Sequence, residues 1–231
     1  MGDNMKVSWS DIKKLQKGTH FTSYVNKPLE DALVYILSRV DFITADHVTI
    51  LADVLAFISA YLMILGNITY SILLMLIVTI LDGVDGKLAR LRGVPTKIGK
   101  LEHSFDFLYE QVWYASLIYA SYLLTKDIRI LLIGLLWLAI DGYVRHIYNL
   151  GWIVVKSPVK KWGKVGRIIT TIDGRRNVYV WYSAICYFLL KRLSLAVILS
   201  FAHALFTAIS YTILTYIKFN EIKKTSKTET K

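Results

Sequence analysis

Apolar residues in this chain fall in long runs rather than at the spacing of a soluble core. Few charges interrupt them at 48–65, 70–91, 105–124, 128–147, 178–190 and 195–217. Runs approaching 20 residues are the length that crosses a bilayer, so the pattern predicts about six transmembrane helices, the fifth of them short. Ahead of them, 28–40 (PLEDALVYILSRV) places Leu29, Leu33, Ile36, Leu37 and Val40 at spacings of three and four, with charges on the other face. That spacing predicts an amphipathic helix lying in the membrane interface. Gly66-Asn67-Ile68-Thr69 predicts a tight turn between the first two spans, and the charged, Thr-rich stretch after Lys218 predicts a disordered tail. The expected organisation is an N-terminal cytoplasmic segment at 1–47, a six-helix domain at 48–217 and a tail at 218–231. The fold class is an all-α membrane protein.

Composition agrees and narrows the picture. The 231 residues are 55% hydrophobic and 19% charged, with a mean hydropathy of +0.45, which excludes an ordinary soluble domain. Cys186, the one cysteine, lies in an apolar run and has no internal partner. The first forty residues are polar and mixed in charge, with no short apolar stretch before a small-residue cleavage site, so no cleaved secretory signal is expected.

The net charge of +11 changes the picture through its placement. Six Lys and Arg lie in the N-terminal segment through Arg39, five between Lys87 and Lys100, seven between Lys156 and Arg176, and five in the tail. The opposite ends of the spans hold only Lys126, Arg129, Lys191 and Arg192. The bias predicts a multi-pass protein with both termini in the cytoplasm. It argues against nucleic-acid binding, because the basic residues are spread over four membrane-edge segments rather than gathered on one face.

Against this background 82–106 is out of place. Asp82 and Asp85 end the second span, while Glu102 and Asp106 begin the third. A carboxylate within a span costs on the order of 2.5 to 3.5 kcal/mol at its centre and less near the interface, so a compensating role is expected. The members of each pair are three or four residues apart and share a helix face. With a chain reversal at Pro95 and Thr96, both pairs fall within roughly 15 Å of the turn, at similar depth. Four convergent acids suit hard divalent cations, Mg²⁺ or Mn²⁺, and two such ions can clamp an in-line phosphoryl displacement. Gly86 and Ala89 strip side chains from one face, and Arg90, one turn from Gly86, suits phosphate oxygens. Together these features describe a pyrophosphate site.

Asp-x2-Asp-Gly-x2-Ala-Arg at 82–90, followed by Gly99 and two further acids, resembles the signature of the CDP-alcohol phosphotransferase family. The first half matches at every fixed position. In the second half the family spacing from Gly99 lands on His103 and Phe107, whereas Glu102 and Asp106 come one residue early and Glu replaces the third Asp. Leu101-Glu102-His103-Ser104-Phe105-Asp106 is similar to the family's Leu-Asp-x3-Asp, which favours the acids. Upstream, 43–49 (ITADHVT) is similar to the family's Thr-Pro-Asn-x-x-Thr at the start of its first span, with Ala45 and Asp46 in place of Pro and Asn.

The resemblance implies an integral-membrane homodimer that moves a phospho-alcohol group from a CDP-linked donor, a lipid above all, to an acceptor hydroxyl with release of CMP. It implies that Asp82, Asp85, Glu102 and Asp106 hold two divalent ions, that Asp106 is the general base, and that Gly86, Ala89 and Arg90 cradle the CMP moiety. The site is expected to open to the cytoplasm. The basic loop with Arg175 and Arg176, and Arg145 in the fourth span, point to a phosphorylated polyol as acceptor, such as inositol phosphate or glycerol phosphate. A soluble donor, CDP-inositol, is the variant reading.

Plainer readings stand beside these. The acids can form an ion-pair network with Lys87, Arg90, Arg92 and Lys100. Asp141 and Arg145, four apart, read as a self-neutralised pair, and the 156–176 loop as a cytoplasmic marker that attracts anionic lipid. Asp53 is either buried and protonated or part of the polar site. Five scattered histidines show no metal-ligand spacing. A cation transporter and a noncatalytic relative are the alternatives of other classes. The first leaves Asp-Gly-x2-Ala-Arg unexplained, and the second is suggested by Glu102 and the shortened spacing.

Overall fold

The computed structural model describes residues 8–94 and 99–229; the side chains of Lys100, Glu102 and residues 224–229 lie outside the description. The described residues are helical almost throughout, and the chain divides into two compact units, 1–120 and 121–231.

In the first unit a short helix α1 (Trp9–Lys14) precedes α2 (Phe21–Leu37), α3 (Ala45–Ile64), α4 (Ile68–Arg92) and α5 (Gly99–Thr125), and the unit boundary falls within α5. Helix α3 begins with a reciprocal cap: Thr44 accepts from the His47 amide, and His47 returns to the Thr44 amide. Gly66, at φ +80°, allows the turn into α4, as its place in the sequence predicts. Helix α4 ends at Gly93 in the left-handed region. The reversal expected at Pro95 and Thr96 lies outside the described residues.

Helix α2 begins at Phe21 rather than Pro28, so that Pro28 lies within it, and ends at Leu37, short of the expected Val40. Asn26, Glu30, Asp31 and Val34 are buried, whereas Tyr24, Val25, Leu29 and Ile36 are exposed. Part of the charged face of the amphipathic helix therefore packs on protein, together with Leu33 and Leu37, while Leu29 and Ile36 of the apolar face are left exposed, an arrangement that suits an interfacial helix. Ile12, Val34, Val48, Val84 and Leu88 form the core beneath it. Deeper along the spans, Ser59 donates to the Ser71 carbonyl at 2.8 Å and Trp113 Nε1 donates to Ser71 Oγ at 3.3 Å. These bonds tie α3, α4 and α5 through polar groups that hydrocarbon would leave unsatisfied.

The second unit holds α6 (Ile128–Val155), a 3-10 turn (Val159–Lys161), α7 (Lys164–Ile172), α8 (Arg176–Ala184) with a π-helical continuation (Ile185–Leu189), and α9 (Leu193–Glu229). Val144, Ile147, Val159, Ala208 and Tyr211 join α6 to α9. Gly151 lies against the Trp162 ring, where a Cβ would collide. The tail expected to be disordered after Lys218 is helical to Glu229. It contains no Gly or Pro to stop the helix, and Lys218 pairs with Glu221 at 2.6 Å one turn on.

Four of the described helices are long and apolar enough to cross a membrane: Ala45–Ile64, Ile68–Arg92, Ile128–Val155 and Leu193–Lys223. The other two expected spans correspond to α5, whose acids lower its hydropathy, and to the short apolar segment formed by α8 and its π-helical continuation. The chain is an all-α integral membrane protein.

Candidate active site

Asp82 and Asp85 occupy one face of α4, as their spacing predicts. Asp85 is buried, and both its oxygens are oriented: Oδ2 accepts from Thr49 Oγ1 at 2.6 Å, and Oδ1 accepts from the Gly86 amide. Thr49 belongs to the 43–49 segment, so the two stretches that carry the family resemblance meet at this carboxylate. The Arg90 guanidinium lies over Gly86, its Nη1 3.1 Å from where a Cβ would stand, while its Nε donates to the Leu15 carbonyl at 3.1 Å. A guanidinium beside a helix position that lacks a side chain has the donors to meet phosphate oxygens.

Asp106 lies on α5 with its side chain largely buried, and His103 Nδ1 stands 3.8 Å from its Oδ2. Glu102, the remaining predicted ligand, has its side chain outside the described residues. Glu110 continues the Asp106 face by one further turn, buried and accepting from the Tyr114 hydroxyl at 3.4 Å. Its four-residue spacing from Asp106 is the signal by which the sequence could have shown it. Oxygen donors of this type suit a hard divalent ion, and the hydrogen bonds from Thr49 and Gly86 fix the orientation of the Asp85 carboxylate. Among the described residues, no three His, Cys, Asp or Glu side chains form a ready metal cluster.

The basic residues near the acids are placed differently from a simple ion-pair network. Lys87, 1% exposed, pairs with two carboxylates of α2: Glu30 Oε2 at 2.8 Å and Asp31 Oδ1 at 2.7 Å. Lys27 closes on Asp31 from the other side at 2.7 Å. Burial pushes the Glu30 carboxyl above its ordinary range, against the pull of Lys87, and the Asp82 charge adds to the rise. For Asp31 burial acts in the same direction, but the hydrogen bonds from Lys27 and Lys87 outweigh it and lower the pKa. Arg92 binds backbone, donating to the carbonyls of Leu37 at 3.1 Å and Val40 at 2.8 Å and to that of Ile43. It thus collects the carbonyls at the end of α2 and before α3. Sequence spacing does not show Glu30 or Asp31 as neighbours of the acids, because they lie more than fifty residues away.

In the second unit Asp141 and Arg145 form their expected pair at 3.7 Å. The loop before α8 is built rather than merely basic. Buried Asp173 accepts from Arg175 Nε at 2.7 Å and from the Tyr211 hydroxyl. The Gly174 amide donates to Thr207 Oγ1 at 2.7 Å, and a Cβ on Gly174 would meet the Tyr179 hydroxyl. Burial raises the Asp173 pKa, and Arg175 partly offsets that. Arg175 and Arg176 follow this anchor directly, Arg176 being buried and Arg175 more open.

Solved structures share the fold. Mycobacterium tuberculosis phosphatidylinositol phosphate synthase with CDP-DAG bound matches at 16% identity with a TM-score of 0.60, over 84% of this chain and 94% of that one. The same synthase in complex with manganese and citrate matches at 17% identity and 0.60, over 80% and 88%. Its apo form matches at 17% and 0.59, over 80% and 95%. No curated protein matches the chain by sequence. Residues 42–209 match the CDP-alcohol phosphatidyltransferase family, a stretch that runs from the Thr44 cap through the Asp82–Asp85 face and into α9; the chain belongs to that family of membrane-embedded, metal-dependent transferases, which take a phospho-alcohol group from a CDP-linked donor.

Proposed function

We propose that the donor is a CDP-activated lipid and the acceptor a phosphorylated polyol, inositol phosphate or glycerol phosphate, so that the product is a phospholipid precursor. The observation that carries the diphosphate site of this reading is the buried, doubly oriented Asp85 beside Gly86 and its overlying Arg90. The CDP-DAG bound to the mycobacterial synthase of the same fold supports a lipid donor, and that synthase's name supports a phosphorylated inositol acceptor.

In this reading Asp82, Asp85, Glu102 and Asp106 hold two divalent ions, Mg²⁺ or Mn²⁺, and the manganese complex of the mycobacterial synthase supports the choice. When bound, the ions neutralise charge on the diphosphate and polarise the phosphorus under attack. Gly86, Ala89 and Arg90 cradle the CMP moiety. The acceptor hydroxyl oxygen attacks the phosphorus that carries the lipid alcohol. The bond from that phosphorus to the CMP oxygen breaks, and CMP leaves with the electron pair. Asp106 takes the hydroxyl proton; a carboxylate is a weak base, so proton transfer accompanies attack rather than preceding it. Arg145, Arg175 and Arg176 bind the acceptor's phosphate. The active protein is a homodimer, as the family resemblance implies, and the distribution of Lys and Arg supports both termini and the site facing the cytoplasm.

The test is CMP release by purified protein supplied with CDP-lipid, Mg²⁺ and a panel of acceptors, with CDP-inositol as a soluble-donor arm. Release with CDP-lipid and a phosphorylated polyol is expected. Release only with CDP-inositol replaces the donor, and no release from any pairing overturns the reading.

A further inference from the structure

The contact between α2 and α4 follows a shared four-residue period. On α2 the residues are Asn26, Glu30 and Val34, with Asp31 beside Glu30; on α4 they are Thr79, Gly83 and Lys87. Asn26 Nδ2 donates to Thr79 Oγ1 at 3.3 Å. One turn on, the Glu30 carboxylate occupies the space a side chain at Gly83 would need. A further turn on, Lys87 closes on Glu30 and Asp31. Ridges four residues apart interlock here through polar groups instead of methyls. Gly83 follows Asp82 directly and precedes Asp85 by two residues, so whatever presses on its backbone sets the height and rotation of both acids.

A buried ion pair is a poor source of net stability, since desolvation offsets most of its attraction, and fixing register is its best-attested use. Register is what this site requires. Asp85 must reach Thr49 on α3 while Asp82 stays on the same face, and a slide of α4 by one turn moves each acid by about 5.4 Å. We propose that Glu30, locked by Lys87 and seated on Gly83, is a positioning residue for the Asp82–Asp85 face, which makes α2 a working part of the catalytic apparatus. The inference rests on the reading of Asp82 and Asp85 as metal ligands.

The experiment is a double-mutant cycle between Glu30→Ala and Gly83→Ala in the full chain. It is read by Mn²⁺ affinity from electron paramagnetic resonance and by the kcat and KM of CMP release. Each single change is expected to weaken Mn²⁺ binding about 10-fold, with the double variant within about 3-fold of Glu30→Ala, because the methyl added at position 83 then has room. Turnover should follow Mn²⁺ affinity while the KM for the acceptor moves less than about 2-fold. Additive losses overturn the proposal. If Gly83→Ala does not fold, Glu30→Gln against Glu30→Ala decides. Gln keeps the shape and the acceptor for Lys87, so it should hold Mn²⁺ within about 3-fold of wild type while Ala does not, and equal affinity in Glu30→Ala and wild type overturns the proposal. Coupling in Mn²⁺ affinity without CMP release from CDP-lipid leaves the clamp standing and removes the donor reading. CMP release without coupling does the reverse, and a wild-type protein that binds no Mn²⁺ overturns both.

Discussion

The Thr49 hydroxyl donates to Asp85 at 2.6 Å across 36 residues of sequence, fastening the start of one membrane span to the acid-bearing end of the next. Asp85 is 3% exposed, so no solvent takes over if this donor is lost. Thr49→Val keeps the shape and removes this hydrogen bond to a charged group, which is worth about 1.5 to 3 kcal/mol. Thermal unfolding should register the loss, and CMP release should fall at least about 10-fold as the carboxylate reorients. Thr49→Ser should retain most of both; an inactive Ser variant with an unchanged unfolding temperature would count against the role.

Asp106→Asn removes the proposed base while keeping the side chain's size. Loss of a general base costs about 100-fold or more in turnover, and CDP binding should persist when measured by calorimetry. A variant with near-normal turnover would refute the assignment.

Arg92 serves the fold rather than the charge balance of the site, since it donates to three backbone carbonyls. Its planar fork reaches several acceptors at once, which a lysine's single ammonium cannot reproduce. Arg92→Lys should therefore destabilise the protein by about 1 to 3 kcal/mol, seen as a lower unfolding temperature, while CMP release per folded molecule stays within about 3-fold of wild type. A large loss of turnover with unchanged stability would return Arg92 to the site.

Asp31 supplies a pH test. Lys27 and Lys87 hold its pKa below the ordinary value of 3.8. Because the folded pKa is the lower one, the stabilisation is fully present above about 3.8 and disappears as pH falls through the folded value. The stability difference between wild type and Asp31→Asn should accordingly stay constant from neutral pH down to about pH 4 and shrink only below it. Glu30 shares Lys87 and its carboxyl is raised by burial, so the comparison is made in a Glu30→Gln background; a difference that begins to shrink near pH 6 there would show that the lysines do not hold the carboxylate in its charged form.

The spans were legible because membrane helices need long apolar runs, and the Asp82–Arg90 signature was legible because it is local. The polarity of α2 was harder to read. In water a charged helix face is the solvated one, but in an interface lipid takes the apolar face, and Glu30 and Asp31 turn toward protein instead. Lys87 counts equally well as a cytoplasmic marker until its two distant carboxylates come into view. Arg92 reads as a partner for acids because sequence shows charges and hides carbonyls. Asp173 is inconspicuous in a loop whose sequence is dominated by cations, yet its burial and its bonds to Arg175 and Tyr211 organise that loop.

The reversed faces of α2 also bear on how the protein is handled outside a cell. Its inner attachment is made of ion pairs shielded from solvent, which salt screens only weakly, and its outer stripe of Tyr24, Val25, Leu29 and Ile36 is exposed. High-salt washing should therefore leave the helix seated. A detergent that covers this stripe poorly would loosen the helix that rests on Gly83, so the choice of amphiphile during extraction is a choice about the active site as well as about solubility.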